Sequence, residues 1–165
     1  MGVSGCGKTT IAALLAARLG WQLAEADAFH SAGNVEKMRN AIPLTDEDRG
    51  PWLDAIAEWI DAARAAHRPG VVTCSALKRR YRERLSAGRD DVRFVYLRGT
   101  YDLIARRIAE RAHDYMPAAL LQSQFDALEE PETDENPIVV SIEQPPEKIV
   151  AEIVGALQLA SRGNS

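Results

Sequence analysis

Apolar positions along the chain alternate between helical and extended spacing. Ile11, Leu14, Leu15 and Leu19 share one helical stripe over 8–19, and Gly20 offers a stop. Residues 22–26 form a short extended run that closes on Glu25-Ala26-Asp27. The polar stretch 29–42 predicts a loop with a short helix. Thr45 followed by Asp46, Glu47 and Asp48 is a helix start, a cap and then acids at the positive end of the dipole. Trp52, Leu53, Ile56, Ile60 and Ala63 carry an apolar face to about residue 67, and Pro69-Gly70 ends it. Pro51 lacks a backbone donor, so an alternative reading leaves 46–48 in a turn and begins the long helix at Pro51.

The second half repeats the alternation. Runs at 71–74, 92–97 and 138–142 predict buried parallel strands. Residues 78–85, 101–112, 117–128 and 147–159 predict helices, the third opened by Pro117 and the last with Ile149, Val150, Ile153, Val154 and Leu157 inward. Strands alternating with helices give an α/β fold, a parallel sheet covered on both faces. Four strands are visible.

A glycine-rich segment changes the picture. Gly2-Val3-Ser4-Gly5-Cys6-Gly7-Lys8-Thr9 fits the phosphate-binding pattern G-x-x-x-x-G-K-[ST]. Its backbone N–H groups, including those around Gly2, Ser4, Gly5, Cys6, Gly7 and Thr10, can turn toward phosphate oxygens. Lys8 can reach the β- and γ-phosphates, and the Thr9 hydroxyl can ligate magnesium. The alternative is a glycine turn that only caps a helix. A loop of this kind usually follows a buried central strand, and only Met1 stands in that place. Two expectations follow: the true start lies upstream, or the natural protein lacks the strand. Five lost apolar residues would forfeit on the order of 8–15 kcal/mol of burial.

Composition narrows the class. A length of 165 residues and a 46% hydrophobic share fit one globular domain, 1–165. The net charge of −4 argues against a dedicated nucleic-acid or membrane-surface binder. No apolar run approaches the roughly 18 residues of a membrane span, and no leader precedes the glycine loop. Cys6 and Cys74 show no disulfide framework, so the expected setting is the reducing cytoplasm. Cys6 lies at a helix N-terminus, where thiol pKa values tend to fall, and its alkylation would block ATP; the alternative is a tolerated small residue.

Phosphoryl transfer needs a carboxylate near magnesium and a base for the attacking hydroxyl. Glu25 and Asp27 at the end of an expected strand can divide those tasks, because 71–74 and 92–97 are followed by Ser75 and Arg98 rather than by acids. The alternative is two solvated acids. His30, Asn34, Lys37, Met38 and Arg49 cluster in the polar stretch that follows. Ser75-Ala76-Leu77-Lys78-Arg79-Arg80-Tyr81-Arg82 can hold an anionic substrate, can be a solvated basic face, or can be a nucleic-acid patch. Arg106, Arg107 and Arg111 lead into a segment suited to a lid over phosphates, or form a charged outer face.

Six segments resemble the gluconokinase family of small P-loop sugar-acid kinases: GVSGCGKTT at 2–10, EADAFHSAGNVEKMRNAIPLTDEDRGPWL at 25–53, CSALKRRYR at 74–82, VYLRGTYDLIARRIAER at 95–111, LLQSQFDALEEP at 120–131 and IEQPPEKIV at 142–150. The family resembles shikimate kinase, which implies a five-stranded parallel sheet with a helical lid, here at about 112–130. The resemblance implies ATP- and magnesium-dependent phosphorylation of D-gluconate at its 6-hydroxyl. It implies that Gly5, Gly7, Lys8 and Thr9 hold phosphate and magnesium, Asp27 is the base, and Glu25 orders magnesium through water. His30, Lys37, Arg49, Lys78 and Arg82 match substrate positions, and Gln124 matches a polar residue near substrate or lid. Arg107 and Arg111 match lid-side arginines, with Lys8, Asp27 and Arg111 the catalytic set. Gln144 and Pro145 match a loop near adenine. Family members are often homodimers. The first strand is absent, and Asp114 separates His113 from Tyr115, where the family often joins histidine to the aromatic. Rival readings are another small-metabolite kinase of the same fold, a non-catalytic nucleotide-binding protein, and a nucleic-acid module built on 78–84.

Overall fold

The computed structural model describes residues 1–40, 42–110 and 118–162. Strands β1 (Gln22–Glu25) and β2 (Gly70–Thr73) pair in parallel, with Leu23 opposite Val71. Strands β3 (Val95–Arg98) and β4 (Ile138–Ser141) form a second parallel pair, with Leu97 opposite Val140. Met1 and Gly2 lie between the pairs. The Met1 amino group donates to the Val95 carbonyl, Leu97 N–H donates to the Met1 carbonyl at 3.1 Å, and Gly2 N–H donates to Ser75 O at 3.1 Å. The expected parallel α/β architecture therefore stands as two half-sheets tied together at the glycine loop.

Helices follow the apolar stripes. They are α1 (Lys8–Leu19), α2 (Ala32–Arg39), α3 (Asp46–Ala65), α4 (Arg79–Ser86), α5 (Tyr101–Glu110), α6 (Ala118–Ala127) and α7 (Pro146–Arg162). One core gathers Ile11, Leu15, Ile104, Ile142 and Ile153 from α1, α5, α7 and the end of β4. A second gathers Trp52, Leu53, Ile56 and Leu85 from α3 and α4. Each such side chain, fully buried, stabilises the fold by roughly 1.5–3 kcal/mol. Gly20 ends α1 in the left-handed conformation at φ 67°, as its position predicts.

Helix α3 settles the Pro51 question. Its first turn is closed by a capping box: Asp48 N–H donates to Thr45 Oγ1 at 3.3 Å, and Thr45 N–H donates to the Asp48 carboxylate at 3.0 Å. The helix therefore starts at Asp46, and Pro51 sits inside it, six positions in, where its ring removes one donor. The third expected strand is shifted: Val92, Arg93 and Phe94 lead up to β3 rather than forming it. Arg111, His113, Asp114, Tyr115 and Pro117 lie outside the described residues. Among the described residues no helix is long and apolar enough to cross a membrane.

Candidate functional site

The glycine loop leads directly into α1. Gly5 (φ 81°) and Gly7 (φ 99°) adopt left-handed backbone, which side chains rarely tolerate. A Cβ on Gly5 would lie 2.7 Å from Ile108 Cγ1, so the loop also needs glycine to pack against α5. Gly7 caps α1 with no side-chain hydrogen bond, leaving the first-turn amides to a ligand. Lys8 folds back and donates to the Gly2 and Val3 carbonyls, each at 3.0 Å. Thr9 and Thr10 are exposed on the first turn. Cys6 is buried at 1% exposure, which supports the reading of a tolerated small residue over that of a reactive thiol. Burial pushes the Cys74 thiol up to about 11, with Lys8 and Asp27 both in electrostatic reach of it.

The acids stand at the end of β1. Glu25 is its last residue, and Asp27 lies in the single 3₁₀ turn that follows (Ala26–Phe29). Both side chains are exposed, and neither forms a hydrogen bond or ion pair among the described residues. Trp52 anchors this turn by donating its indole N–H to the Ala26 carbonyl at 2.7 Å. The same indole stacks on His30 at 4.6 Å between ring centroids and 10° between planes. Burial lowers the His30 pKa, with Asp27 opposing and Arg49 reinforcing, which favours the neutral ring. Its Nδ1 is buried without a hydrogen-bond partner.

A cationic wall surrounds the Tyr81 ring where α3 meets the start of α4. The Arg49 guanidinium, the Lys78 ammonium and the Arg80 guanidinium lie 6.0, 5.7 and 5.5 Å from the centroid of the Tyr81 ring. Asp46 accepts from the Tyr81 hydroxyl, from Arg80 and, at 3.4 Å, from Lys78. The Tyr81 hydrogen bond, aided by Arg80 and Lys78, lowers the Asp46 pKa to about 2. Arg49 donates to the Leu44 carbonyl at 2.7 Å. Lys37 is held by both Asp48 oxygens at 2.7 and 2.8 Å, and Asn34 donates to the Asp48 carbonyl at 2.9 Å, so α2 is braced on the start of α3.

The structure corrects Arg82. Its side chain is 1% exposed and bonded inside the protein. Nε and Nη2 donate to the Glu135 carboxylate at 2.5 and 2.8 Å. Nη1 donates to the carbonyls of Ala76, Leu77 and Glu129 at 3.1, 3.3 and 2.9 Å. Its burial thus keeps Arg82 from a substrate; it fixes the turn that carries Lys78, where Ala76 has φ 44°.

Gln124 reaches the glycine loop from α6. Its carbonyl accepts the Ser4 N–H at 2.7 Å, and its amide donates to Ser4 Oγ at 3.1 Å. Arg107 donates to the Ile142 carbonyl at 2.7 Å, which puts it beside the turn that holds Gln144 and Pro145. Gln144 is paired with Glu152 at 3.0 Å, and the Pro145 carbonyl accepts from Lys148 and Ile149 as α7 begins. Among the described residues no group of three or more His, Cys, Asp or Glu side chains forms a metal cage. The free oxygens of Thr9 and Glu25 fit a hard cation that arrives with phosphates.

Sequence reasoning missed Trp52, Tyr81, Asp46 and Glu135 as parts of this region. Trp52 reads as core by its helical spacing, and only its indole N–H hints at a polar task. Glu135 carries no local signal.

The comparisons agree with this geometry. A family model described as an AAA domain matches residues 1–131. The chain is 46% identical over 158 residues to a gluconokinase from Gluconobacter oxydans (strain 621H), covering 96% of this chain and 89% of that protein. The crystal structure of a gluconokinase from Sinorhizobium meliloti 1021 superposes with a TM-score of 0.89 at 40% identity, covering 99% of this chain and 91% of that one. Shikimate kinase from Aquifex aeolicus is similar in fold alone, with a TM-score of 0.61 at 17% identity, covering 99% of this chain and 96% of that one.

Proposed function

The chain belongs to the gluconokinase family, and we propose that it transfers the γ-phosphoryl group of ATP to the 6-hydroxyl of D-gluconate, giving 6-phospho-D-gluconate. The observation that carries this reading is the unpaired Asp27 carboxylate on the Trp52-anchored turn, with the Arg49 guanidinium of the cationic wall in electrostatic reach of His30 beside that turn. Gluconate is a polyol with one carboxylate. The wall offers Arg49 and Lys78 for that charge, and the orphaned His30 Nδ1 offers a partner for a hydroxyl.

ATP phosphates lie along the loop amides and the N-terminus of α1. Lys8 exchanges its two loop carbonyls for phosphate oxygens and stabilises charge on the transferring group. Asp27 accepts the proton of the attacking hydroxyl and fixes its line of approach. Thr9, with Glu25 through a water, would hold magnesium, which neutralises phosphate charge when bound. Gln124 links the lid helix to Ser4, so closure of a lid at about 112–130 is felt at the loop. Arg107 and Arg111 complete the phosphate side, and Gln144 and Pro145 flank the base. The setting proposed is the cytoplasm, with no nucleic-acid or membrane partner and with a homodimer as the assembled form.

The test is a coupled assay of the purified chain with ATP, magnesium and D-gluconate, following 6-phosphogluconate, with shikimate and D-glucose as controls. Gluconate-selective turnover is the expected result. Turnover of shikimate instead, or ATP binding without transfer to any acceptor, would overturn the assignment.

A further inference from the structure

Helix α4 starts without a cap of its own: Lys78 stands at its N-cap and makes no side-chain cap hydrogen bond. The acceptor comes from the far side of α6. The Arg79 N–H, first of the helix, donates to the Glu129 carboxylate at 2.6 Å, 50 residues on. The Glu129 backbone N–H donates in turn to the Leu77 carbonyl at 2.8 Å. The Leu77 carbonyl and the Arg79 N–H belong to the two peptide groups that flank Lys78. Glu129 therefore grips Lys78 from both sides, and its own carbonyl accepts from Arg82 at 2.9 Å. With both flanking planes held, the Lys78 backbone is fixed in the extended region, at φ −99° and ψ 144°.

That backbone decides where the ammonium stands. The contacts of the Lys78 side chain are loose ones: 5.7 Å to the Tyr81 ring centroid, and 3.4 Å to an Asp46 oxygen that Tyr81 also engages. A half-exposed ion pair of that length holds a flexible lysine weakly. Glu129 is itself well anchored. It lies two residues past the end of α6, and Tyr96, buried on β3, donates its hydroxyl to the neighbouring Glu130 at 3.1 Å. Five residues before it, Gln124 holds Ser4 of the glycine loop at 2.7 and 3.1 Å. The stretch 124–129 thus touches the phosphate loop at one end and brackets Lys78 at the other.

We propose that Glu129 is a positioning residue, which sets the place of the Lys78 ammonium relative to the glycine loop and so the placement of the acceptor against the transferring phosphoryl group. The proposal rests on the reading of Lys78 as a cation for the gluconate carboxylate. Glu129 acts through Lys78 and touches neither substrate. Its effect is therefore confined to the acceptor. The carboxylate and the 6-hydroxyl of gluconate lie at opposite ends of the carbon chain, so a displaced ammonium spoils the hold on one end and the aim of the other. ATP, held by loop amides and Lys8, is indifferent to it. The bond from Glu129 N–H to Leu77 O needs no side chain, so the share of the carboxylate can be removed alone while that backbone anchor stays.

Glu129→Ala, Glu129→Gln, Lys78→Met and the double variant Lys78→Met with Glu129→Ala test it in the coupled assay. Amide hydrogen exchange is read alongside at Tyr81 and Arg82, whose N–H groups donate to the Lys78 carbonyl at 3.0 and 3.4 Å. Glu129→Ala is expected to raise the KM for gluconate by on the order of 10-fold, to leave the KM for ATP within about twofold, and to speed both amides by a factor of that order. Glu129→Gln keeps an acceptor oxygen and should restore most of the lost affinity. Lys78→Met should raise the KM for gluconate by about 10- to 150-fold and absorb the effect of the second substitution. An unchanged KM for gluconate in Glu129→Ala overturns the proposal whatever the exchange rates, and leaves Glu129 a plain helix cap. So does a Glu129→Ala effect that persists in full beside Lys78→Met, or an equal rise in both KM values. If Lys78→Met leaves the KM for gluconate unchanged, the reading of Lys78 fails and this proposal falls with it. A chain that never phosphorylates gluconate fails at the functional reading itself, before any variant is made, and overturns both.

Discussion

Replacing Arg82 by Met removes one half of a buried ion pair and leaves the other half in place. In the native protein the guanidinium is 1% exposed and its Glu135 partner 9% exposed, with two donors to the carboxylate and a third to three carbonyls. Breaking such a pair from one side costs about 3–5 kcal/mol, because the remaining carboxylate is uncompensated. The three carbonyls lose a shared donor as well, and unmet buried acceptors cost about 1–3 kcal/mol each where water cannot reach them. We take about 4 kcal/mol as the expected loss. A chain of this size shifts by roughly 2–4 °C per kcal/mol, so Tm should fall by about 8–16 °C. Urea unfolding followed by circular dichroism gives the free energy directly. The companion variants are Glu135→Gln and the double variant, and the cycle should show a coupling of at least about 1.5 kcal/mol. The Arg82 hydrogen bond holds the Glu135 pKa below its ordinary 4.5. A depressed carboxylate adds stability above its unfolded pKa that is lost as pH falls through the folded one. The stability difference between wild type and Arg82→Met should therefore shrink under acid. A loss below about 1 kcal/mol at neutral pH, or a coupling near zero, would refute the reasoning and return Arg82 to the substrate side.

Three further outcomes follow from the site. Asp27→Asn should lower kcat by on the order of 10²–10⁴ with little change in the KM for ATP, measured in the coupled assay; an unchanged kcat removes it as base. Asp46, whose pKa is lowered to about 2 by Tyr81 and Arg80, should contribute stability above pH 3.8 that disappears as pH falls toward 2. Asp46→Asn should flatten that acid limb in urea titrations, and an unaltered limb would disprove the pairing. Cys6 and Cys74 are both buried, so iodoacetamide should label neither in the native protein at pH 7 and both in urea. Rapid native labelling at Cys6, read by mass spectrometry, would revive the reactive loop thiol.

Local signals were read correctly wherever the partner lay within a turn. The Thr45 cap, the Gly20 stop, the glycine loop and the stripe of α7 all depend on neighbours three or four residues away. Arg82 was misread for the opposite reason. The resemblance sets Lys78 and Arg82 together on the substrate side, but Lys78 is the cap rather than part of α4. Tyr81, Arg82 and Leu85 instead form the inward face, and the acid that makes this tolerable for an arginine is Glu135, 53 residues on. Pro51 is a milder case: a capping box already satisfies the first turn, and the helix absorbs one missing bond. The candidate acids were legible because they end a strand, whereas Trp52 and Tyr81 were hidden among residues expected to be core or solvated.

The placement of the three tryptophans has an optical consequence. Trp21 and Trp59 line a cavity between the half-sheets, and Trp52 stacks on His30 beside Asp27. The indoles therefore emit from two separate compartments of the molecule. A protonated imidazole quenches an indole in contact with it, and burial keeps the His30 pKa below 6.5. A chain retaining only Trp52 should brighten as acid is removed and respond to ligands at the turn, while one retaining only Trp59 should stay silent to them and report on whatever enters the gap beside β2.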